Sequence, residues 1–117
     1  MSAVLLTSDL MVTSLATGAA SATGVELRTV ATIEEMLKAA NIADTKLVIL
    51  DLALRGLSPD DVVFELKSLK TCPKVLAFGQ HVHEARLNAA RQAGCDQVLS
   101  RGQFCAQLAD VLRGMAA

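Results

Sequence analysis

Residues 47–54 read LVILDLAL, in which four consecutive apolar residues are followed directly by Asp51. The apolar run is made of leucine and β-branched residues, as is typical of a strand buried on both faces of a sheet. An acid directly after such a run marks the point where the chain leaves the core. The stretch therefore predicts an inner strand of a parallel sheet, with Asp51 at its carboxyl end.

Four more apolar runs alternate with amphipathic segments on either side of this stretch. The predicted strands cover residues 3–7, 25–30, 46–50, 74–78 and 97–100. The predicted helices cover residues 10–22, 33–40, 59–70, 83–93 and 103–115. Strict alternation with short links requires right-handed crossovers and a parallel sheet that carries helices on both faces. We therefore predict one doubly wound α/β domain spanning residues 1–117.

The composition excludes several classes of partner. Eleven Lys and Arg residues stand against twelve Asp and Glu residues, so the broad positive field of a nucleic-acid binder is missing. The chain has no Trp, no Tyr and only three Phe, which leaves almost no surface on which bases can stack. No apolar run approaches the length of a membrane span. We expect neither direct nucleic-acid binding nor membrane insertion.

The cysteines and the N-terminal residues predict a cytoplasmic protein. Cys72, Cys95 and Cys105 are odd in number and show no C-x-x-C spacing, as is typical of free thiols in a reducing compartment. The first basic residue is Arg28, and Asp9 interrupts the N-terminal apolar stretch, so the pattern of a secretory signal is absent.

The strand ends are where chemistry is expected, because ligands of doubly wound sheets bind beyond the carboxyl ends of the strands. The residues there are Thr7-Ser8-Asp9, Asp51, Phe78-Gly79 and Ser100-Arg101. Carboxylates such as Asp9 and Asp51 can hold Mg²⁺, and a carboxylate can also accept a phosphoryl group. Each acid can equally be a solvated strand end without a ligand.

Three segments make the chain resemble the receiver domain of two-component response regulators. They are LVILDLAL at 47–54, the strand at 73–78, and AGCDQVLSRGQF at 93–104. The resemblance covers essentially the whole chain. It implies a single flavodoxin-like (βα)5 domain with a five-stranded parallel sheet of order 2-1-3-4-5.

The resemblance also implies roles for individual residues at the strand ends. Asp51 matches the phosphoacceptor, and Asp9 matches the second of two acids after the first strand, where it would be a metal ligand. Ser8 replaces the first acid, so Mg²⁺ binding through Asp9, Asp51 and the Ala53 carbonyl is expected to be weak. Arg101 stands where the family has lysine, which is not a neutral replacement because the guanidinium is a planar fork.

Further positions of the family's switch have also changed. The residue that should carry a hydroxyl at the end of the fourth strand is Phe78 when counted from Pro73, and Gly79 when counted back from Gly94. The aromatic switch position holds Val98. Gly79 and Arg101 are therefore the candidates for the phosphate side of the site.

These departures predict a degenerate receiver that signals by binding a protein and is not a turnover enzyme. Two alternatives stay open. The first is an active but atypical receiver, phosphorylated on Asp51 with Mg²⁺, in which Arg101 is the cation and a backbone amide near Gly79 replaces the hydroxyl. The second, more remote, is a flavodoxin-like ligand-binding domain in which Thr7-Ser8 with Thr13-Ser14 hold phosphate, although aromatic walls for a flavin are missing.

A docking surface is expected on the fourth helix, fifth strand and fifth helix, where receivers commonly bind partners. The partner would be a kinase, a target or a second copy of the chain. Basic residues on the fourth helix and Asp110 on the fifth suit a two-fold contact. The residues of this predicted surface are Val82, Arg86, Leu87, Arg91, Gln107, Asp110, Val111 and Arg113.

Overall fold

The computed structural model describes the backbone of residues 2–116 and the side chains of residues 2–114. Five strands alternate with five helices. The strands are β1 (Ser2–Leu6), β2 (Glu26–Val30), β3 (Thr45–Asp51), β4 (Lys74–Gly79) and β5 (Gln97–Ser100). The helices are α1 (Leu10–Thr23), α2 (Ile33–Ala40), α3 (Pro59–Lys67), α4 (Glu84–Gln92) and α5 (Arg101–Ala116).

The strands form one parallel sheet in the order β2-β1-β3-β4-β5, which confirms the predicted fold and strand order. The inner strand β3 is seven residues long and pairs with β1 on one side and β4 on the other. Its last residue, Asp51, lies opposite Phe78. The sheet therefore places the end of β3 at the middle of its carboxyl edge.

Helix α5 begins earlier than predicted, and a capping box explains why. The Gln103 amide donates to Ser100 Oγ at 3.2 Å, while the Ser100 amide donates to Gln103 Oε1 at 3.0 Å. This reciprocal S-x-x-Q arrangement satisfies two amides at the start of the helix. It puts Arg101 in the first turn of α5, directly beyond β5.

Two apolar layers cover the two faces of the sheet. One layer packs against α2, α3 and α4, and the other packs against α1 and α5. From the sequence we predict nine core residues, of which Leu27 and Val98 are only partly buried. Both of these lie on edge strands, where a neighbouring strand covers only one side. The other seven are buried: Val4, Leu6, Val48, Leu50, Val75, Ala77 and Leu108.

An aromatic pair fixes α5 to the sheet beneath the strand ends. The rings of Phe78 on β4 and Phe104 on α5 are stacked, with centroids 4.2 Å apart and planes at 4°. Both side chains are almost completely buried. This contact holds the first turn of α5, and with it Arg101, close to the carboxyl edge of the sheet.

The structure also describes the lengths of the helices and the state of the three cysteines. Within residues 2–116, no helix is long and apolar enough to cross a bilayer. Cys72, Cys95 and Cys105 are all free thiols. Burial, followed by the nearby Asp96 charge, raises the pKa of the Cys95 thiol to about 11.

Candidate functional site at the carboxyl ends of the strands

Asp9 ties the first and last helices together. Its Oδ1 atom caps α1 by accepting from the Met11 and Val12 amides at 2.9 and 3.2 Å. Its Oδ2 atom lies 2.7 Å from Arg101 Nη1. The Val12 amide lowers the pKa of the Asp9 carboxyl; burial opposes this shift, and the Arg101 guanidinium adds to it. Both oxygens of Asp9 therefore already have cationic or N–H partners.

Asp51 is buried, with 6% of the residue exposed, and each of its carboxylate oxygens accepts a hydrogen bond. The Thr7 hydroxyl donates to Asp51 Oδ2 at 2.7 Å, and the Ala53 amide donates to Asp51 Oδ1 at 2.9 Å. Thr7 Oγ1 also accepts from the Asp9 amide at 3.1 Å. One hydroxyl thus connects the two acids that the sequence places at the site.

Sequence reasoning placed Thr7 at this edge of the sheet but did not pair it with Asp51. The available signal was a hydroxyl residue at the end of β1, next to the strand that ends in Asp51. A residue that ends one strand can reach across to the neighbouring strand end, because parallel strands lie only about 5 Å apart.

In this arrangement the two acids that were predicted to hold Mg²⁺ already have other partners. Among the described residues, no group of three or more His, Cys, Asp or Glu side chains is placed to hold a metal ion. Ser8 supplies no carboxylate, and the Arg101 guanidinium is already paired with Asp9. A dication would have to displace that guanidinium or share its carboxylate, and either costs electrostatic energy. The structure thus gives the predicted ligands Asp9 and Asp51 other contacts, and Ala53 contacts Asp51 through its amide.

The end of β4 offers no hydroxyl and little space for one. Phe78 turns its ring towards Phe104 of α5. A Cβ atom at Gly79 would lie 3.3 Å from Leu52 Cβ and 3.5 Å from Leu87 Cδ2. A side chain at position 79 would therefore push against Leu52 and come into van der Waals contact with Leu87.

The predicted docking surface needs one correction. Leu87 is only 6% exposed and packs in the layer beneath α4, so it presents almost no surface to a partner. Val111 is partly buried against the layer beneath α5. The rotation of each helix about its own axis decides which side chains face the sheet. A helix with few apolar residues does not reveal that rotation from its sequence.

The other residues of that surface lie outside the core. Val82 is 66% exposed, and Arg86 and Arg91 on α4 are exposed as well. Arg86 also donates to the Leu52 carbonyl at 3.4 Å, which connects α4 to the loop after Asp51. Asp110 pairs with Arg113 of its own helix at 3.0 Å.

Comparison with known proteins gives the same fold. No family model and no curated protein sequence matches the chain. Among solved structures, the receiver domain of sensor histidine kinase PA1611 from Pseudomonas aeruginosa PAO1 has a TM-score of 0.80 at 14% identity, covering 99% of this chain and 98% of its own. That structure has a magnesium ion coordinated in its active-site cleft.

Two further structures are similar. A response regulator from Hahella chejuensis has a TM-score of 0.82 at 14% identity, covering 97% of this chain and 93% of its own. The beryllofluoride-activated NtrC4 receiver domain dimer has a TM-score of 0.76 at 14% identity, covering 97% of this chain and 98% of its own. The chain therefore has the receiver-domain fold, with Asp51 at the end of β3 and the Asp9–Arg101 ion pair beside it.

Proposed function

We propose that this chain is a receiver-like signalling module that acts by binding a protein, without the magnesium-dependent phosphoryl switch. The observation that carries this proposal is the ion pair between Arg101 and Asp9, at 2.7 Å. It gives the acid at the predicted metal position an internal cation. The module would then adopt its working conformation without a metal ion.

The surroundings of Asp51 support the same proposal. Transfer of a phosphoryl group needs a metal ion, accurate positioning and positive groups around the equatorial oxygens. Here both Asp51 oxygens already accept hydrogen bonds, and the residue is 6% exposed. Leu52 and Leu87 close the volume next to Gly79. The nucleophile is present, but the groups that would stabilise a transferred phosphoryl group are not arranged around it.

The partner is proposed to bind the surface of α4, β5 and α5. Val82 is an exposed apolar residue just before α4, and Arg86 and Arg91 are exposed cations on that helix. A protein with acidic side chains around an apolar residue would complement it. The similar NtrC4 receiver domain is a dimer, which makes a second copy one candidate for that partner.

Intact mass spectrometry after incubation with Mg²⁺ and acetyl phosphate tests the absence of phosphoryl transfer. We expect no adduct on the wild type or on Asp51→Asn, and no rise in melting temperature with millimolar Mg²⁺. An adduct of one phosphoryl group on the wild type alone would overturn the proposal. It would favour the alternative of an active but atypical receiver.

Affinity capture with charge-reversed variants tests the binding surface. We expect the same partner to be retained by the wild type and by Asp51→Asn, and to be lost with Arg91→Glu on α4. Lys38→Glu on α2 is the matched control, because Lys38 is an exposed cation away from this surface. Retention of the partner by Arg91→Glu would contradict the proposed surface.

A further inference from the structure

Helix α1 has an exposed apolar surface with no charge on it. None of its 14 residues is Asp, Glu, Lys or Arg. Leu10, Met11 and Leu15 are 85%, 65% and 47% exposed. Exposed helix faces of monomeric proteins normally carry charged residues, and apolar patches on them mark interaction sites.

Four residues of α1 form a stripe with heptad spacing. Met11, Leu15, Gly18 and Ala22 are separated by four, three and four residues, which is the spacing of a coiled-coil seam. All four are exposed, whereas Val12, Ala16 and Ala20 form the buried side of the helix. We call these four exposed residues the α1 stripe.

The α1 stripe is large at one end and small at the other. Met11 and Leu15 project from the first half of the helix, and Gly18 and Ala22 leave a notch in the second half. A Cβ atom at Gly18 would meet nothing within 4 Å, so this notch is open to the surroundings. When two copies of this stripe face each other in opposite directions, the large residues of one copy lie against the small residues of the other.

We propose that the α1 stripe binds a second copy of this chain in an antiparallel, two-fold arrangement. A two-fold axis between positions 15 and 18 sets Leu15 against Gly18 of the partner subunit. The same axis sets Met11 against Ala22 of the partner subunit. Each contact pairs a large side chain with a small one, and the two-fold symmetry repeats both contacts.

The absence of charge favours a second copy over other occupants. Two uncharged helices can approach without repulsion and without removing a charge from water. Helices that lie on membranes usually carry Lys and Arg on their polar face, and α1 carries neither. The polar residues beside the stripe are Ser and Thr only.

The size of the α1 stripe sets the strength of the contact. A helix of 14 residues is about 21 Å long and about 10 Å wide, which gives a footprint of roughly 200 Å². A stable interface needs about 800 Å² from each partner, so the dimer is weak and forms only at high concentration. Because α1 and α4 pack on opposite faces of the sheet, this dimer leaves the α4 surface accessible.

Sedimentation of the full chain over about 10 µM to 1 mM tests the proposal. We expect the average mass to rise from 12.3 kDa towards twice that value with concentration. Leu15→Glu and Gly18→Lys should each stay monomeric. Phe64→Glu is the matched control, because it removes a 74% exposed apolar side chain from α3 on the other face, and it should associate like the wild type.

Mixing the two charged variants tests the antiparallel register. In a mixed dimer, Glu at position 15 of one chain faces Lys at position 18 of the other, and the second site keeps its original Leu–Gly contact. An equimolar mixture should therefore associate when neither variant does so alone, provided that circular dichroism shows both to be folded.

Three outcomes would overturn the proposal. The first is a wild type that stays monomeric up to 1 mM, and the second is a mixture that does not associate. The third is a monomeric wild type that co-sediments with phosphatidylcholine and phosphatidylserine vesicles when Leu15→Glu does not. That result would assign the α1 stripe to a lipid surface.

Discussion

The side chains of Asp9 and Arg101 form an ion pair, with Oδ2 and Nη1 2.7 Å apart, although these residues lie at opposite ends of the chain. Asp9 is the N-cap of α1, and Arg101 is the first residue of α5. The pair therefore joins the starts of two helices that lie on the same face of the sheet. It also contributes to the electrostatics of the candidate site, because the Arg101 guanidinium helps to lower the pKa of Asp9.

Two substitutions at Asp9 separate its roles as helix cap and as ion-pair partner. Asp9→Asn keeps a capping oxygen and should lose only the ion pair, at about 0.5–1 kcal/mol of unfolding free energy. Asp9→Ala loses the cap as well, which costs about 1 kcal/mol more. Urea denaturation measures both. Asp110→Asn, which removes an exposed pair on α5, should change the stability by less than about 0.5 kcal/mol. Equal losses for the two Asp9 variants would contradict the assigned cap.

The stability should fall in acid, and Asp9 should account for part of the fall. The pKa of Asp9 is lower in the folded chain than its ordinary 3.8, chiefly because the Val12 amide and Arg101 favour the charged form. Its contribution is therefore complete well above pH 4 and is lost as the pH falls through the folded-state pKa. Melting temperatures from pH 2 to pH 7 should fall less steeply for Asp9→Asn than for the wild type.

The stability of Asp9→Asn should still fall in acid to some extent, because Asp96 also has a lowered pKa. Burial alone would raise the pKa of Asp96, but hydrogen bonds from Lys67 and the Val75 amide lower it overall. Its contribution is likewise present above its ordinary pKa and lost in acid.

Identical pH profiles for the wild type and Asp9→Asn would show that Asp9 does not contribute.

The hydrogen bond between Thr7 and Asp51 should contribute measurably to stability. Thr7→Val keeps the shape but leaves Asp51 Oδ2 without its donor in a buried setting, which costs about 1–3 kcal/mol. Thr17→Val, at an exposed hydroxyl on α1, is the control and should cost much less. A double-mutant cycle with Asp51→Ala, which removes both carboxylate oxygens, should give a coupling of about 0.5–3 kcal/mol. Additive effects of the two changes would exclude the interaction.

Restoring a hydroxyl at the end of β4 should destabilise the fold. Gly79→Thr pushes new atoms against Leu52 and Leu87, at an expected cost of about 1–3 kcal/mol. Gly18→Ala provides the opposite case, since its Cβ meets nothing and helix propensity improves by about 1 kcal/mol. Chemical denaturation compares the two. A neutral Gly79→Thr would mean that the two leucines move aside easily.

The stacked pair of Phe78 and Phe104 should couple α5 to the sheet. Phe78→Leu and Phe104→Leu each remove the stack, so their combined effect should be smaller than the sum by about 0.5–1.5 kcal/mol. Phe64→Leu, at an exposed position, should lie within about 0.5 kcal/mol of the wild type. A coupling near zero would remove the stack as the contact that holds α5.

The sequence by itself determined the architecture and the location of the candidate site. Apolar runs such as 47–50 are local signals, and their alternation with amphipathic helices leaves few topologies other than a parallel doubly wound sheet. Parallel geometry then brings the residues after each strand, Asp9, Asp51, Gly79 and Arg101 among them, to one edge. The S-x-x-Q capping box at Ser100, which sets the start of α5, is also a local signal, but the prediction missed it and began the helix at residue 103.

Only the tertiary structure decided which partner each side chain has. The pairing of Arg101 with Asp9, and of Thr7 with Asp51, depends on side-chain directions across strands that are distant in sequence. The rotation of α4 decided that Leu87 faces the core, where it closes the space beside Gly79. These contacts arise from packing between separate elements, so no local spacing of residues encodes them.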